Sequence, residues 1–305
     1  MNHSSFFASA VIVFLVSQNS VTAPCLQWKN PERVGTLDDR LSEASGMDIS
    51  KQFPGRVYHI NDSGSKGEFL VTGMDGRLQE RVSIKNFKPV DTEDLSLGPC
   101  GAETCLFIAD TGDNQRERKT STIIAITEKK SFNGKAEIAT RFTIKYPDGK
   151  AHDVESLAIH PNGSLFVVTK DYDKKADRAE VAQIYWLPTA ELWKNPRATK
   201  TLYAFGELDI AKIIGNHSAE SLVTSMTIHS SGERFALLTY SKIIEFYFDI
   251  SKGLKKDLTP ADYTVLPTRV LLQQEAVAYA TDQDALIYTT EDEEAPIYQV
   301  QCSQR

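Results

Sequence analysis

Four glutamates recur at the openings of short apolar segments, Glu43, Glu93, Glu155 and Glu275, and Thr224 takes the same place in a fifth segment. Carboxylates gathered in one small volume repel one another and hold their protons more tightly unless a cation neutralises them. Oxygen-only donors suit a hard ion, and Ca2+ is the ion such a set implies. The histidines are scattered, and no Cys/His cluster has zinc spacing. The chemistry therefore depends on whether the chain brings these five positions together.

The segment 153–170 shows what carries them. Alternating apolar residues from Val154 to Ile159, the turn Pro161-Asn162-Gly163 and the β-rich run from Leu165 to Thr169 form a strand, a tight turn and a second strand. The pattern returns along the chain, and residues 223–232 superpose on residues 154–163 with Thr224 in the place of Glu155. Openings at 43, 93, 155, 224 and 275 each lead into further short strands, which is the spacing of four-stranded blades with variable loops. The unit beginning at Glu275 is one strand short, while residues 26–34 form an orphan strand before the first unit. This predicts an all-β fold, a β-propeller of five four-stranded blades in which the N-terminal strand closes the last blade. Six blades is the alternative if residues 191–215 hold another, although that segment reads as short helical excursions. The first strand of each propeller blade lines the central channel, so Glu43, Glu93, Glu155, Thr224 and Glu275 are expected to form one ring, with the four glutamates as metal ligands.

A second polar ring is expected where the second strands end, at Asp62, Asp110, Lys170, Tyr240 and Glu291. The most loaded stretch is Asp110-Thr111-Gly112-Asp113-Asn114, followed by Arg118. If the mouth is catalytic, Glu155 or Asp113 would serve as base, with Lys170 and Arg118 steadying developing negative charge. The competing reading is structural: Asp, Asn and Gly cap strand ends through local hydrogen bonds, and backbone N–H groups can satisfy a ring of carboxylates without metal.

The chain has 305 residues, is 41% hydrophobic and carries a formal charge of -7, enough apolar content for a sizeable core and the wrong sign for a nucleic-acid binder. The apolar run 6–16 followed by Val21-Thr22-Ala23 reads as a signal peptide over residues 1–23, leaving 24–305 as a single propeller domain. No other stretch is long and apolar enough for a membrane span. The expectation is an exported monomer, periplasmic or extracellular. Four cysteines in such a chain suggest two disulfides, for which three connectivities exist. Cys100 with Cys105 would staple a turn, and Cys25 with Cys302 would join the two ends as a closed ring of blades requires. Phosphate-binding glycine loops and a Gly-x-Ser-x-Gly nucleophile elbow are absent.

Glu93-Asp94, Asp110-x-Gly112-Asp113-Asn114-x-x-x-Arg118, Tyr146-Pro147-Asp148-Gly149, Asp153-x-Glu155-x-Leu157, Val168-Thr169-Lys170, Thr239-Tyr240 and Gln274-Glu275-Ala276 together resemble a family of secreted bacterial β-propellers. The resemblance spans nearly the whole chain after residue 43, with a looser likeness to calcium-binding phytase-like and lactonase-like propellers. It maps the family's shared positions to Glu43, Glu93, Asp113, Asn114, Arg118, Glu155, Lys170 and Glu275. Leu238 departs from the pattern, which commonly has Arg there. The resemblance specifies fold more than activity. The functional expectation, resting on the lack of a nucleophile–base pair in the sequence, is a module binding a small ligand, a glycan or a protein, with a metal-assisted phosphoesterase or lactonase as the alternative.

Overall fold

The computed structural model describes residues 24–304 apart from 63, 65 and 281–283. The expected leader, residues 1–23, lies outside the described residues. Five antiparallel sheets stand in a ring, and the chain is a five-bladed β-propeller.

The innermost strands are Ala44–Ile49, Thr92–Cys100, Val154–Ile159, Val223–Ile228 and Gln274–Tyr279, each packed against the next and the last against the first. Val154–Ile159 is buried at every residue, because both faces of a blade pack on neighbours and no face is left to water. Five apolar clusters follow, each spanning one interface between adjacent blades. Leu95, Leu106 and Ile108 of the second blade, for example, meet Tyr58, Phe69 and Val71 of the first.

The ring is closed by the chain's two ends. The last strand, Pro296–Gln304, is paired antiparallel by Glu32–Thr36 and by Gln27–Trp28, so the orphan N-terminal strand is two short strands rather than one. The Cys25–Cys302 disulfide pins this junction, and Cys100–Cys105 staples the hairpin between Thr92–Cys100 and Glu103–Asp110.

The segment 191–215 contributes no sixth blade. Tyr203–Leu208 is the outer strand of the third blade, whereas Lys200–Thr201 runs parallel along the outer edge of the second. Two one-turn helices, Thr189–Trp193 and Ile210–Ile214, account for the rest. No helix among the described residues is long and apolar enough to cross a membrane.

Candidate functional site at the channel mouth

Each innermost strand has a register shift against its neighbour at the same place, spanning Ala44/Gly46, Thr92/Asp94, Val154/Ser156, Val223/Ser225 and Gln274/Ala276. A β-bulge of this kind leaves one residue unpaired and re-aims its side chain. The five residues so re-aimed, all buried, are Ser45, Glu93, Glu155, Thr224 and Glu275. The ring therefore exists with one correction: its first-blade member is Ser45, and Glu43 lies two residues earlier, exposed, hydrogen-bonded to the carboxyl of Glu291.

Ser45, Glu93, Glu155 and Glu275 line a cavity of about 210 Å³ together with Asp62, Asn114, Lys170, Tyr240, Gln273 and Glu291. Thr224 belongs to the ring but not to the cavity. Its hydroxyl donates to the Gln274 carbonyl at 2.7 Å, tying the fourth blade to the fifth. Ser45 does the same between the first and second blades, donating to the Glu93 carbonyl at 2.6 Å while its oxygen lies 3.3 Å from Glu93 Oε2.

Asp110, Asp113 and Arg118 build the loop beside the mouth and are not part of the cavity wall. Asp113 accepts the backbone N–H groups of Glu117 and Arg118, and its own N–H donates to Asp153 Oδ1 at 2.8 Å. Arg118 donates to the Gly112 carbonyl at 2.7 Å and to Asp110 at 3.0 Å. Asp110 also accepts the N–H groups of Val90 and Asp91. These bonds use most of the polar capacity of the three side chains and leave Asn114 at the cavity wall.

Two further acids, which the repeat pattern did not single out, complete the mouth. Asp91 and Asp62 hydrogen-bond carboxyl to carboxyl; burial and this neighbour push Asp91 up to about 7. Asp153, buried beside Glu155, is also raised by burial. Ligand oxygens of Asp62, Asp91 and Glu93 lie within 4.8 Å of one another, and so do those of Glu93, Asp153 and Glu155. Glu93 belongs to both sets. A Cβ at Gly112 would collide with the carboxylates of Glu93 and Asp91, so a side chain is excluded where the loop passes over them. Gln273 has a φ of 50° and donates to Glu291 Oε2 at 2.6 Å, a locally strained backbone at the cavity rim.

Electrostatics follow from this crowding. Burial, then the charges of Glu155 and Asp62, raise Glu93 well above the usual carboxylate range. Burial raises Glu155 despite its ion pair with Lys170. Burial pushes Glu275 up to about 7, and burial with the Glu43 carboxyl pushes Glu291 up to about 8. Lys170 is the cation inside this ring; burial acts against its charge, but Glu155 and Glu275 overcome that and raise it. Its Nζ also lies 4.9 Å from the centre of the Tyr240 ring, within cation–π range.

Oxygen donors of this kind fit a hard cation. A second observation points the same way: Glu275, only 5% exposed, has Oε2 without a hydrogen-bond partner at the cavity wall. A buried acceptor left unpaired is costly, and a bound ion or one of the waters it retains would satisfy it.

Below the mouth the channel is plugged. Asp94, fully buried, reaches from the second blade to accept the N–H groups of Leu157 at 3.0 Å and Met226 at 3.3 Å. The corresponding positions in the other blades are Gly46, Ser156, Ser225 and Ala276, small enough to admit it. No protein-family model matches the chain, and no curated protein is similar to it.

Proposed function

We propose that this chain is an exported propeller whose acidic channel mouth binds a hard divalent cation, with Ca2+ its natural occupant, and offers that ion to a ligand on the same face. The observation that carries this reading is the unpartnered Oε2 of Glu275 in a cavity whose wall includes Asp62, Glu93 and Glu155, members of two three-carboxylate sets that Asp91 and Asp153 complete beside it. The donors are all oxygen, which favours calcium-like ions over zinc or copper. Export is supported by the two disulfides and by the leader-like pattern of residues 1–23. The resemblance to secreted bacterial propellers and the binding-module role belong to the same proposal.

A second reading, metal-assisted hydrolysis of a phosphoester or lactone, is favoured by one specific feature. Asp91 and Glu291 are displaced to about 7 and about 8, where a carboxyl can both give and take a proton at neutral pH. Lys170 would steady developing negative charge there, and Glu155 would orient it. The expected roles of Asp113 and Arg118 shift from chemistry to shaping the loop, since their bonds are made within it.

Metal analysis of the purified protein, with melting curves in calcium and in chelator, tests the first reading. Bound metal and a lower melting temperature in chelator support it; no metal and an unchanged curve overturn it. A screen of phosphoester and lactone substrates against wild type and Glu155→Gln then separates the two. Turnover that Glu155→Gln abolishes supports the hydrolase, whereas turnover untouched by the substitution removes the channel mouth as its active site.

A further inference from the structure

The two carboxylate sets share Glu93 but differ in surroundings. Asp62 and Asp91 are half-buried, so an ion held by them and Glu93 keeps a side open to water. Glu93, Asp153 and Glu155 are all buried. The second set already has a cation on one of its members, whose charge Glu93 and Asp153 also feel. Lys170 reaches in from the end of Leu165–Thr169 and ion-pairs with Glu155 Oε1; the two side chains are 11% and 3% exposed. The Tyr240 ring backs the ammonium from another side. Lysine carries a compact point charge with three donors and no acceptor, and among side chains it comes nearest to a small cation. In the first set, by contrast, Asp62 and Asp91 face each other carboxyl to carboxyl, an arrangement that requires a proton or a cation between them.

We propose that Lys170 is the mouth's built-in second cation: its ammonium fills the Glu93–Asp153–Glu155 subsite and limits the mouth to one divalent ion, held by Asp62, Asp91 and Glu93. This rests on the reading of the mouth as a cation site and adds its stoichiometry and its selector. A divalent ion entering the buried subsite would stand beside a fixed positive charge and compete with it for Glu155. The half-buried subsite has no such obstacle and leaves room for the waters a calcium-like ion retains. The mouth is thus a two-cation centre in which the protein supplies one charge itself.

Mn2+ serves as the probe, titrated into the full secreted-form protein and read by electron paramagnetic resonance. Wild type and Lys170→Arg should bind one ion with the spectrum of an isolated centre. Lys170→Gln and Lys170→Met should bind two, with the spectrum broadened by magnetic coupling across Glu93. Two ions in wild type, or one in both neutral variants with circular dichroism unchanged, overturns the assignment while leaving the cation reading intact. No ion in any of these proteins overturns both. If the neutral variants do not fold, two other substitutions decide. Asp62→Asn should weaken the wild-type ion by at least about tenfold, whereas Asp153→Asn should change it by less than about threefold. Equal losses overturn the assignment.

Discussion

Asp94 Oδ2 accepts the hydroxyl of Ser225 at 3.1 Å, a bond across the channel between the second and fourth blades. The same oxygen takes the N–H groups of Leu157 and Met226, and Oδ1 takes that of Leu95 at 2.8 Å, so one side chain ties three blades at the axis. Burial raises its pKa against the pull of these bonds. Asp94→Ala would strand four donors in the plugged channel at about 1–3 kcal/mol each if nothing else satisfies them, so a loss of at least about 4 kcal/mol is expected. Asp94→Asn can keep its carbonyl toward Leu157, Met226 and Ser225 and should cost less. Urea unfolding of both variants checks this, and an Asn variant no better than Ala would contradict it.

Gly112 lets the loop lie against Glu93 and Asp91. Its φ is not in the left-handed region, so Gly112→Ala adds no backbone strain and acts only through the methyl group. The carboxylates must move aside. Cation affinity at the mouth should fall by about tenfold or more, with the melting temperature in chelator little changed. Calorimetric titration with Ca2+ beside a melting curve measures both.

The mouth sets one limb of the pH dependence. Asp91, Glu275 and Glu291 are held at about 7, 7 and 8, above the ordinary carboxylate range, so the folded chain binds protons that the unfolded chain releases. Their stabilisation is complete below about pH 4 and is lost as pH rises through 7 to 8. In chelator the melting temperature should therefore drop between pH 6 and 8.5, and saturating calcium should flatten that drop. His59 sets the other limb. It is 1% exposed, and Nε2 meets Thr72 Oγ1, whose hydroxyl can donate to the Gly73 carbonyl, so the ring is neutral. Burial lowers it to about 3, so the stability it contributes is present above pH 6.5 and is lost as pH falls toward 3. Melting temperatures across pH 3 to 9 trace both limbs, and a flat profile would count against both assignments.

The Cys25–Cys302 bridge encloses a loop with a sequence separation of 277 residues and pins the shared closing blade. Chain-entropy arguments assign such a bridge an upper figure of about 4–5 kcal/mol. Cys25→Ser with Cys302→Ser should lower the melting temperature and raise hydrogen exchange first in Gln27–Trp28 and Pro296–Gln304. Removing Cys100 and Cys105 should leave that blade unaffected. Exchange measured by mass spectrometry distinguishes local opening of the fifth blade from uniform loosening.

Blade number, strand content, ring closure by the chain ends and both disulfide pairings were legible in the sequence alone. They depend on local alternation, turn residues and the arithmetic of repeated units, which are properties of short segments. The same segments placed Glu93, Glu155 and Glu275 on one ring, with Lys170 and Tyr240 nearby. Glu43 shows where that reasoning stops. Residues 43 and 45 have the same parity, so period-two alternation fits either, and the bulge at Ser45, opposite the Glu93 carbonyl, decides between them. Asp94 shows the complement. It adjoins Glu93, and simple alternation would send the two to opposite faces, yet the bulge between Thr92 and Asp94 lets one line the mouth and the other plug the channel. Asp91 and Asp153 joined the mouth only once blades were set side by side, because their partners Asp62 and Asp113 lie in preceding blades. The sequence by itself determined the blades and the kinds of side chain at their openings. Only the tertiary structure decided which carboxylates meet, because that is set by register between neighbouring blades, where each contact joins residues far apart in the chain.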